Sequence, residues 1–210
     1  MKDIEKIMPM QSPTRGFGLL ERFLSNQRIR MANKLIPAPL RDGKVLDVGC
    51  GCHPLFLLNT EFAQKFGMDK HLTTGACEDR EGRRLNLATY DFEQEGPLPF
   101  ESDSFDVITL LAVLEHCSTH RVDSLLRETL RILRPNGMLI MTLPAAWTDG
   151  LLRSLAFLRL VSAHEIDDHK ATYTIPATVA LLLAAGFKKE DLRAGHFEAC
   201  MNLWFAAKKV

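Results

Sequence analysis

The chain has 210 residues, of which 46% are hydrophobic and 25% charged, values typical of a globular domain and not of disordered, fibrous or membrane-spanning chains. Basic and acidic residues number 26 each, so the chain has no net positive charge that would attract nucleic acid or an anionic membrane non-specifically. The first ten residues lack a signal-peptide core, and the most apolar later stretch, residues 174–187, is too short to cross a bilayer. We therefore expect a cytoplasmic protein without stable membrane insertion.

The predicted elements alternate between helix and strand over the first two thirds of the chain. A helix is expected over about residues 18–37, ended by Pro37 and Pro39, and a short one begins near Pro54. Five runs have the pattern of β-strands, at 44–48, 65–69, 85–91, 105–111 and 138–143. A further helix is predicted at 122–133, between the last two strands, and residues 134–137 end it. This alternation predicts right-handed crossovers and a parallel sheet.

The tail of the chain has a different pattern. Residues 174–185 read as a helix that Gly186 ends. Two β-like runs, 191–198 and 201–207, follow closely enough to form an antiparallel hairpin. We therefore predict one α/β domain over residues 1–210, with an accessory segment at about 145–174 that interrupts the strand-helix order.

The segment VLDVGCGCHP at residues 45–54 joins a strand, a glycine turn and a helix start, an arrangement that builds a ligand cradle. Gly49 and Gly51 let a ligand approach the backbone closely. The same turn also occurs in NAD and FAD sites, but those ask for a third glycine where this chain has His53 and Pro54. Cys50, Cys52 and His53 lie close together, yet no second Cys or His pair stands at zinc-site spacing, so we expect reduced thiols and no metal.

Two acids follow the next two predicted strands. Asp69 ends the second strand about twenty residues after the glycine turn, where a carboxylate can accept hydrogen bonds from both ribose hydroxyls. Asp91 and Phe92 end the third, offering a carboxylate for an adenine amino group and an apolar surface for its ring. Leu111 ends the fourth and should line the pocket floor, whereas Asp106 in that strand is expected to be structural.

Over residues 44–208 the chain resembles the class I S-adenosylmethionine-dependent methyltransferases. The resemblance lies in VLDVGCG, the acid of GMDK, the YDFE turn, FDVITLLAVLEH and LRETLRILRPNGMLIMTLP, in the family's order and spacing. The LEH ending of the fourth motif is similar to the small-molecule (type 11-like) branch. The resemblance implies a doubly wound, Rossmann-like, seven-stranded and mostly parallel sheet whose last strand is antiparallel.

The resemblance also implies the cofactor contacts, with S-adenosylmethionine as the cofactor. Four residues of the glycine turn would surround its methionine part, namely Asp47, Gly49, Cys50 and Gly51. Asp69 would hold the ribose, and Asp91 with Phe92 the adenine. The chain departs from the family at His53, which replaces a frequent glycine.

Candidate catalytic residues stand at His116, which follows the fourth strand, and at Asp168 and His169 in the polar segment HEIDDHKATYT at residues 164–174. Each could orient the methyl acceptor or take a proton from it. The alternatives are a helix-start histidine satisfied by the backbone and a solvated charged loop. The apolar residues 151–161 before that loop form either a lid or an ordinary packed helix.

We expect methyl transfer to a small or lipid-like molecule, with no nucleic-acid substrate. The alternatives are a nicotinamide-dependent oxidoreductase, which the missing third glycine disfavours, and a non-catalytic binding module that keeps the fold.

Overall fold

The computed structural model describes residues 21–72, 78, 82, 84–93, 96–148 and 173–210. In this part of the chain seven strands form one sheet in the order β3-β2-β1-β4-β5-β7-β6. The strands are Lys44–Val48 (β1), Gln64–Asp69 (β2), Asn86–Thr89 (β3), Phe105–Leu111 (β4), Leu133–Pro144 (β5), Leu192–Phe197 (β6) and Asn202–Lys208 (β7). β7 pairs antiparallel with β5 and β6, and the other neighbours pair in parallel. The predicted fold class is confirmed.

Four α-helices accompany the sheet within the described residues: Glu21–Leu35 (α1), Leu55–Leu58 (α2), Thr119–Ile132 (α3) and Ile175–Ala185 (α4). All four lie where the sequence predicts them. α4 shows why, because the Thr174 side chain accepts a hydrogen bond from the amide of Ala177, and Gly186 ends the helix with a φ of 111°. None of the described helices has the length and apolar character needed to cross a membrane.

The sheet is buried on both faces. One face packs against α1 and α2, and the other packs against α3 and α4. Alternation along the central strands divides the apolar residues between the two faces, so that Val107 of β4 belongs to the first and Ile108 to the second. This two-sided burial explains why the central strands read as continuous apolar runs in the sequence.

β5 is longer than predicted, and the reason lies in its partners. Residues 134–137 look like a turn, and Asn136 does have a positive φ of 68°. Instead of breaking the strand, these residues form an irregularity in its pairing with β4. The amide of Asn136 donates to the Lys209 carbonyl at 2.7 Å, and the amide of Lys209 donates to the Gly137 carbonyl at 2.9 Å. The end of the chain therefore keeps this stretch in the sheet.

Candidate functional site

β1 ends in a tight turn at Gly49 and Gly51, at the edge of the sheet where the parallel strands end, hereafter the carboxyl edge. Both glycines have a positive φ, 75° and 73°. A Cβ on Gly49 would stand 2.6 Å from a methyl group of Val113, whereas a Cβ on Gly51 would meet nothing nearer than 4.0 Å. Gly49 is therefore required by packing, and Gly51 leaves its backbone open to a ligand.

Asp69 joins the glycine turn to the end of β2. Its carboxylate is almost fully buried. One oxygen accepts a hydrogen bond from the amide of Gly51 at 3.0 Å, and the other accepts one from the amide of His71 at 2.8 Å. These two bonds fix the carboxylate at the end of β2, beside the glycine turn.

Asp47 is a second buried carboxyl group in the same place. It pairs in register with Thr109 of β4, whose hydroxyl donates to it at 2.5 Å. Burial raises the pKa of Asp47 to about 7, the Thr109 hydrogen bond opposes that shift, and the nearby charge of Asp69 adds to it. A cationic ligand placed here would favour the ionised form.

Cys50 lies between the two glycines and is buried as well. Burial raises the pKa of its thiol far above the ordinary value, with Asp47 and Asp69 adding to the shift. The group is therefore a neutral thiol, which suits packing against a ligand and not nucleophilic attack.

The turn after β3 carries Asp91, Phe92 and Glu93. Asp91 accepts a hydrogen bond from the amide of Glu93 at 3.0 Å, and Phe92 packs on the core. The Glu93 carboxylate then accepts from the amide and the hydroxyl of Ser118, at 2.7 and 2.9 Å. This turn is thereby tied to the start of α3. Leu111, at the end of β4, is half-buried.

The carboxyl ends of β1, β2, β3 and β4 thus carry the residues predicted to contact a cofactor. β1 lies between β2 and β4, and α2 and α3, which follow β1 and β4, lie on opposite faces of the sheet. The chain reverses its winding there, and such points in open α/β sheets leave a crevice that binds ligands.

Comparisons with known proteins find a similarity to methyltransferases over part of the chain. Residues 46–141 match the family described as "Methyltransferase domain". The "Probable methyltransferase PMT7" of Arabidopsis thaliana is 31% identical over 117 residues, which are 50% of this chain and 17% of that protein, so the chain spans about a sixth of this curated relative. The chain is thus similar to methyltransferases over about half of its length.

Solved structures share the fold of the chain. A structure from Thermotoga maritima, described as a "SAM-dependent methyltransferase, possible histamine N-methyltransferase", has a TM-score of 0.64 at 16% identity and covers 91% of this chain and 92% of its own. A "possible exported protein" from Bordetella parapertussis has a TM-score of 0.61 at 22% identity, covering 90% of this chain and 67% of its own. The family match counts against the nicotinamide-dependent alternative.

At the carboxyl edge, β4 leads into a short 3-10 turn, Leu114–His116. Ala112 just before it has a φ of 58°, which strains a residue with a side chain. His116 is half-buried and its amide donates to the Val113 carbonyl at 3.0 Å. Its position at the carboxyl edge agrees with the predicted role, and that role stays a prediction.

Tyr173 stands near the end of the polar segment at residues 164–174. It is buried, and its hydroxyl donates to the Leu114 carbonyl at 3.0 Å. Burial raises the pKa of Tyr173 to about 12, with contributions from Cys117 and Glu115. The side chain is therefore a neutral support for the turn that carries His116.

Most of the predicted accessory segment, including Asp168 and His169, lies outside the described residues. Its two ends are described, and they meet. Ala145 forms a parallel bridge with Tyr173, and the amide of Ala146 donates to the Tyr173 carbonyl at 3.2 Å. The chain thus leaves the sheet and returns to it at one point of the carboxyl edge.

Three contributors to the site were missed in the sequence. Thr109 and Val113 follow from the parallel pairing of β1 with β4, which a linear motif does not show. Glu93 belongs to the YDFE turn, but its partner Ser118 lies in a different element. Within the described ranges, no group of three His, Cys, Asp or Glu residues could hold a metal ion.

Proposed function

We propose that this protein transfers a methyl group from S-adenosylmethionine to a small or lipid-like molecule. The observation that carries the proposal is the pairing of Gly51 with Asp69. A glycine with open space beside its backbone donates to a buried carboxylate, at the point where the sheet order reverses. A nucleoside with a charged extension fits this arrangement, since the carboxylate can accept from ribose hydroxyls while the glycine backbone admits the extension.

The charge of the site supports this cofactor. Asp47 and Asp69 are both buried and close enough for their charges to interact, so a cation between them is favoured. S-adenosylmethionine, when bound, supplies a methyl group on a positively charged sulfur. In the proposed arrangement the glycine turn and Asp47 hold the methionine part, and Asp69 holds the ribose. Asp91 and Phe92 hold the adenine, and Leu111 lines the floor.

The protein's contribution to the displacement would be alignment and exclusion of water. Such a reaction gains most from holding the nucleophile in line and keeping the pocket dry. His116 stands at the carboxyl edge, on a turn that the buried Tyr173 hydroxyl supports. We assign His116, together with Asp168 and His169, to orienting the acceptor or taking its proton.

Binding measurements test the cofactor assignment. We expect S-adenosylmethionine and S-adenosylhomocysteine to bind in isothermal titration, and NAD not to bind. Asp69→Ala should weaken binding by about 1 to 3 kcal/mol, because the ribose hydroxyls lose a charged acceptor. Asp123→Ala is the matched control, since Asp123 lies on the exposed side of α3 and pairs with Arg127.

Two outcomes would contradict the proposal. A folded protein that binds neither S-adenosyl compound would remove the cofactor site altogether. Equal dissociation constants for the wild-type protein and folded Asp69→Ala would move the ribose elsewhere.

A further inference from the structure

The turn between β6 and β7, residues 198–201, stands at the carboxyl edge beside the end of β5. Asn202 pairs with Pro144, and the amide of Ala145 donates to the Met201 carbonyl at 2.9 Å. The turn therefore lies next to the point where the accessory segment leaves the sheet. This end of the sheet is on the opposite side of β4 from the proposed cofactor residues.

The backbone of this turn is strained. Glu198, Ala199 and Cys200 have φ values of 51°, 50° and 67°, three successive residues with side chains in the left-handed region. Strain of this kind persists where the surrounding structure enforces it, and it is concentrated at functional sites.

Two buried polar atoms beside the turn have no hydrogen-bond partner in the part of the chain that the structure describes. They are Oε1 of Glu198 and Nε of Arg28, a residue of α1. The other oxygen of Glu198 accepts from the side-chain amide of Asn202. Buried groups left without a partner destabilise a fold, so a ligand that bonds to them would relieve that cost.

Arg28 and Glu198 lie near each other. Burial raises the pKa of Glu198, and the positive charge of Arg28 and the Asn202 hydrogen bond oppose that shift. The two side chains form no ion pair with each other among the described contacts, so each keeps an unused hydrogen-bonding atom that is buried in this structure. Each residue as a whole is only half-buried, so the pair borders the surface at this edge.

Trp147 provides an aromatic surface next to the same turn. Its ring nitrogen donates to the Cys200 carbonyl at 3.0 Å, yet the residue is 58% exposed. A ring fixed at one end with its surface in solvent is suited to stacking against a flat ligand.

The charges of the pair restrict the chemistry of the ligand. An anion would be attracted by Arg28 and repelled by Glu198, whereas a cation would be attracted by Glu198 and repelled by Arg28. A neutral hydroxyl can accept from the Arg28 Nε–H group and donate to the Glu198 oxygen at once. Trp147 in turn favours a ring over an open chain.

We propose that Arg28, Glu198 and Trp147 form the acceptor subsite, and that it binds an uncharged, hydroxylated ring. The inference rests on the proposed function, because it names the class of molecule that receives the methyl group. The ring would stack on Trp147, and the half-buried side chains of Arg28 and Glu198 would turn toward the surface so that one hydroxyl bonds to both of them.

Ligand-observed NMR on protein saturated with S-adenosylhomocysteine tests this subsite. The probes are catechol and methyl α-D-glucopyranoside as phenolic and saccharide rings, with benzoate and benzylamine as charged rings. We expect one or both hydroxylated rings to bind and the charged rings to bind more weakly. Binding of only one hydroxylated ring would identify which source of the hydroxyl the site prefers.

Variants separate the subsite from a structural role. Arg28→Met, Glu198→Met and Trp147→Ala should each weaken probe binding about tenfold or more. Arg30→Met is the matched control, since Arg30 is exposed on the same helix. The double variant Arg28→Met/Glu198→Met should keep or raise the Tm, because it removes both unsatisfied groups together.

Several results would overturn the inference while the proposed function stands, provided that S-adenosylhomocysteine still binds. They are the failure of both hydroxylated rings to bind, stronger binding of a charged ring, and unchanged probe affinity in the variants. A lower Tm of the double variant would likewise show that the pair stabilises the fold and is not kept for a ligand. Loss of S-adenosylhomocysteine binding by the wild-type protein would instead contradict the proposed function.

Discussion

At the scale of single residues, Asp47 carries the most specific chemical information in the site. Its carboxyl group is buried beside a second buried acid and bonded to a neutral hydroxyl, and burial raises its pKa to about 7. The group therefore changes charge in the range where the protein would work. S-adenosylmethionine and S-adenosylhomocysteine both carry an amino acid group, but only S-adenosylmethionine has a positively charged sulfur.

This difference predicts a pH-dependent preference between the two ligands. Below pH 7 the free protein holds Asp47 protonated, so a bound cation must displace that proton; above pH 7 the carboxylate is already charged. The affinity for S-adenosylmethionine relative to S-adenosylhomocysteine should therefore rise between about pH 6 and pH 8. Titration of both ligands across this range measures the ratio, in which the titration of their shared amino group cancels.

Asp47→Asn is the control for that prediction. It keeps the shape of the side chain and an acceptor for Thr109, but it cannot ionise. Its ratio of the two affinities should be flat with pH. A ratio in the wild-type protein that does not change with pH would show that Asp47 does not face the sulfur.

At the scale of elements, Glu93 connects two segments that a linear motif treats as separate. Its carboxylate accepts from the amide and hydroxyl of Ser118 at the start of α3, and its own carbonyl accepts from Arg121 at 2.9 Å. Because Asp91 accepts from the amide of Glu93, the proposed adenine turn is held by α3. Glu93 is therefore a positioning residue in the proposed site.

Replacement of Glu93 should consequently affect ligand binding and not stability alone. Glu93→Ala removes two charge-assisted hydrogen bonds, and we expect about 3- to 10-fold weaker binding of S-adenosylhomocysteine. Glu93→Gln keeps an acceptor and should recover part of the loss. Glu101→Ala, at an exposed position, is the control. If Glu93→Ala lowered the Tm but left the dissociation constant unchanged, Glu93 would stabilise the start of α3 without positioning the binding site.

The elements also show what can be predicted from the sequence. β1 and β4 have the predicted bounds, because strands buried on both faces form continuous apolar runs between polar stops. β3 is shorter than its run suggests, since it lies at the edge of the sheet and pairs only with β2. The early start of β5 depends on Lys209, a partner from the far end of the chain. The local sequence pattern does not predict hydrogen bonds to such a distant part of the chain.

The same division holds for the candidate site. The glycine turn and Asp69 are neighbours of strand ends, so their meeting follows from a parallel sheet and is visible as a motif. Other contacts join segments that are distant in the sequence, and they become visible only in the folded chain. Examples are the hydrogen bond from Ser118 to Glu93 and the approach of Arg28 to Glu198.

At the scale of the whole molecule, the end of the sheet where the parallel strands finish and the end where they begin carry different kinds of polar groups. The carboxyl edge holds the buried acids of the glycine turn and β2, and the buried polar atoms of Arg28 and Glu198 that lack a partner. At the opposite edge, where the parallel strands begin, charged groups are satisfied by close partners. Asp106, expected to be structural, accepts from the amide of Lys44 at 2.7 Å and from the Arg134 guanidinium at 2.9 Å.

Lys209 is the clearest case at that amino edge. Its ammonium group donates to Asp103 at 2.7 Å and to the Leu133 carbonyl at 2.7 Å, so it fastens the end of the chain to the beginning of β5. These contacts stabilise the sheet far from the proposed cofactor site, and they predict that stability and binding can be separated by position.

Lys209→Met tests that separation. Loss of its charge-assisted hydrogen bonds should reduce the unfolding free energy by about 1 to 3 kcal/mol and the Tm by about 3 to 10 °C. The affinity for S-adenosylhomocysteine, measured well below the Tm, should stay unchanged. Lys188→Met, at an exposed position, is the matched control and should alter neither quantity. If Lys209→Met weakened ligand binding as much as Asp69→Ala does, the two edges would be coupled, and the assignment of stability to one edge and binding to the other would be wrong.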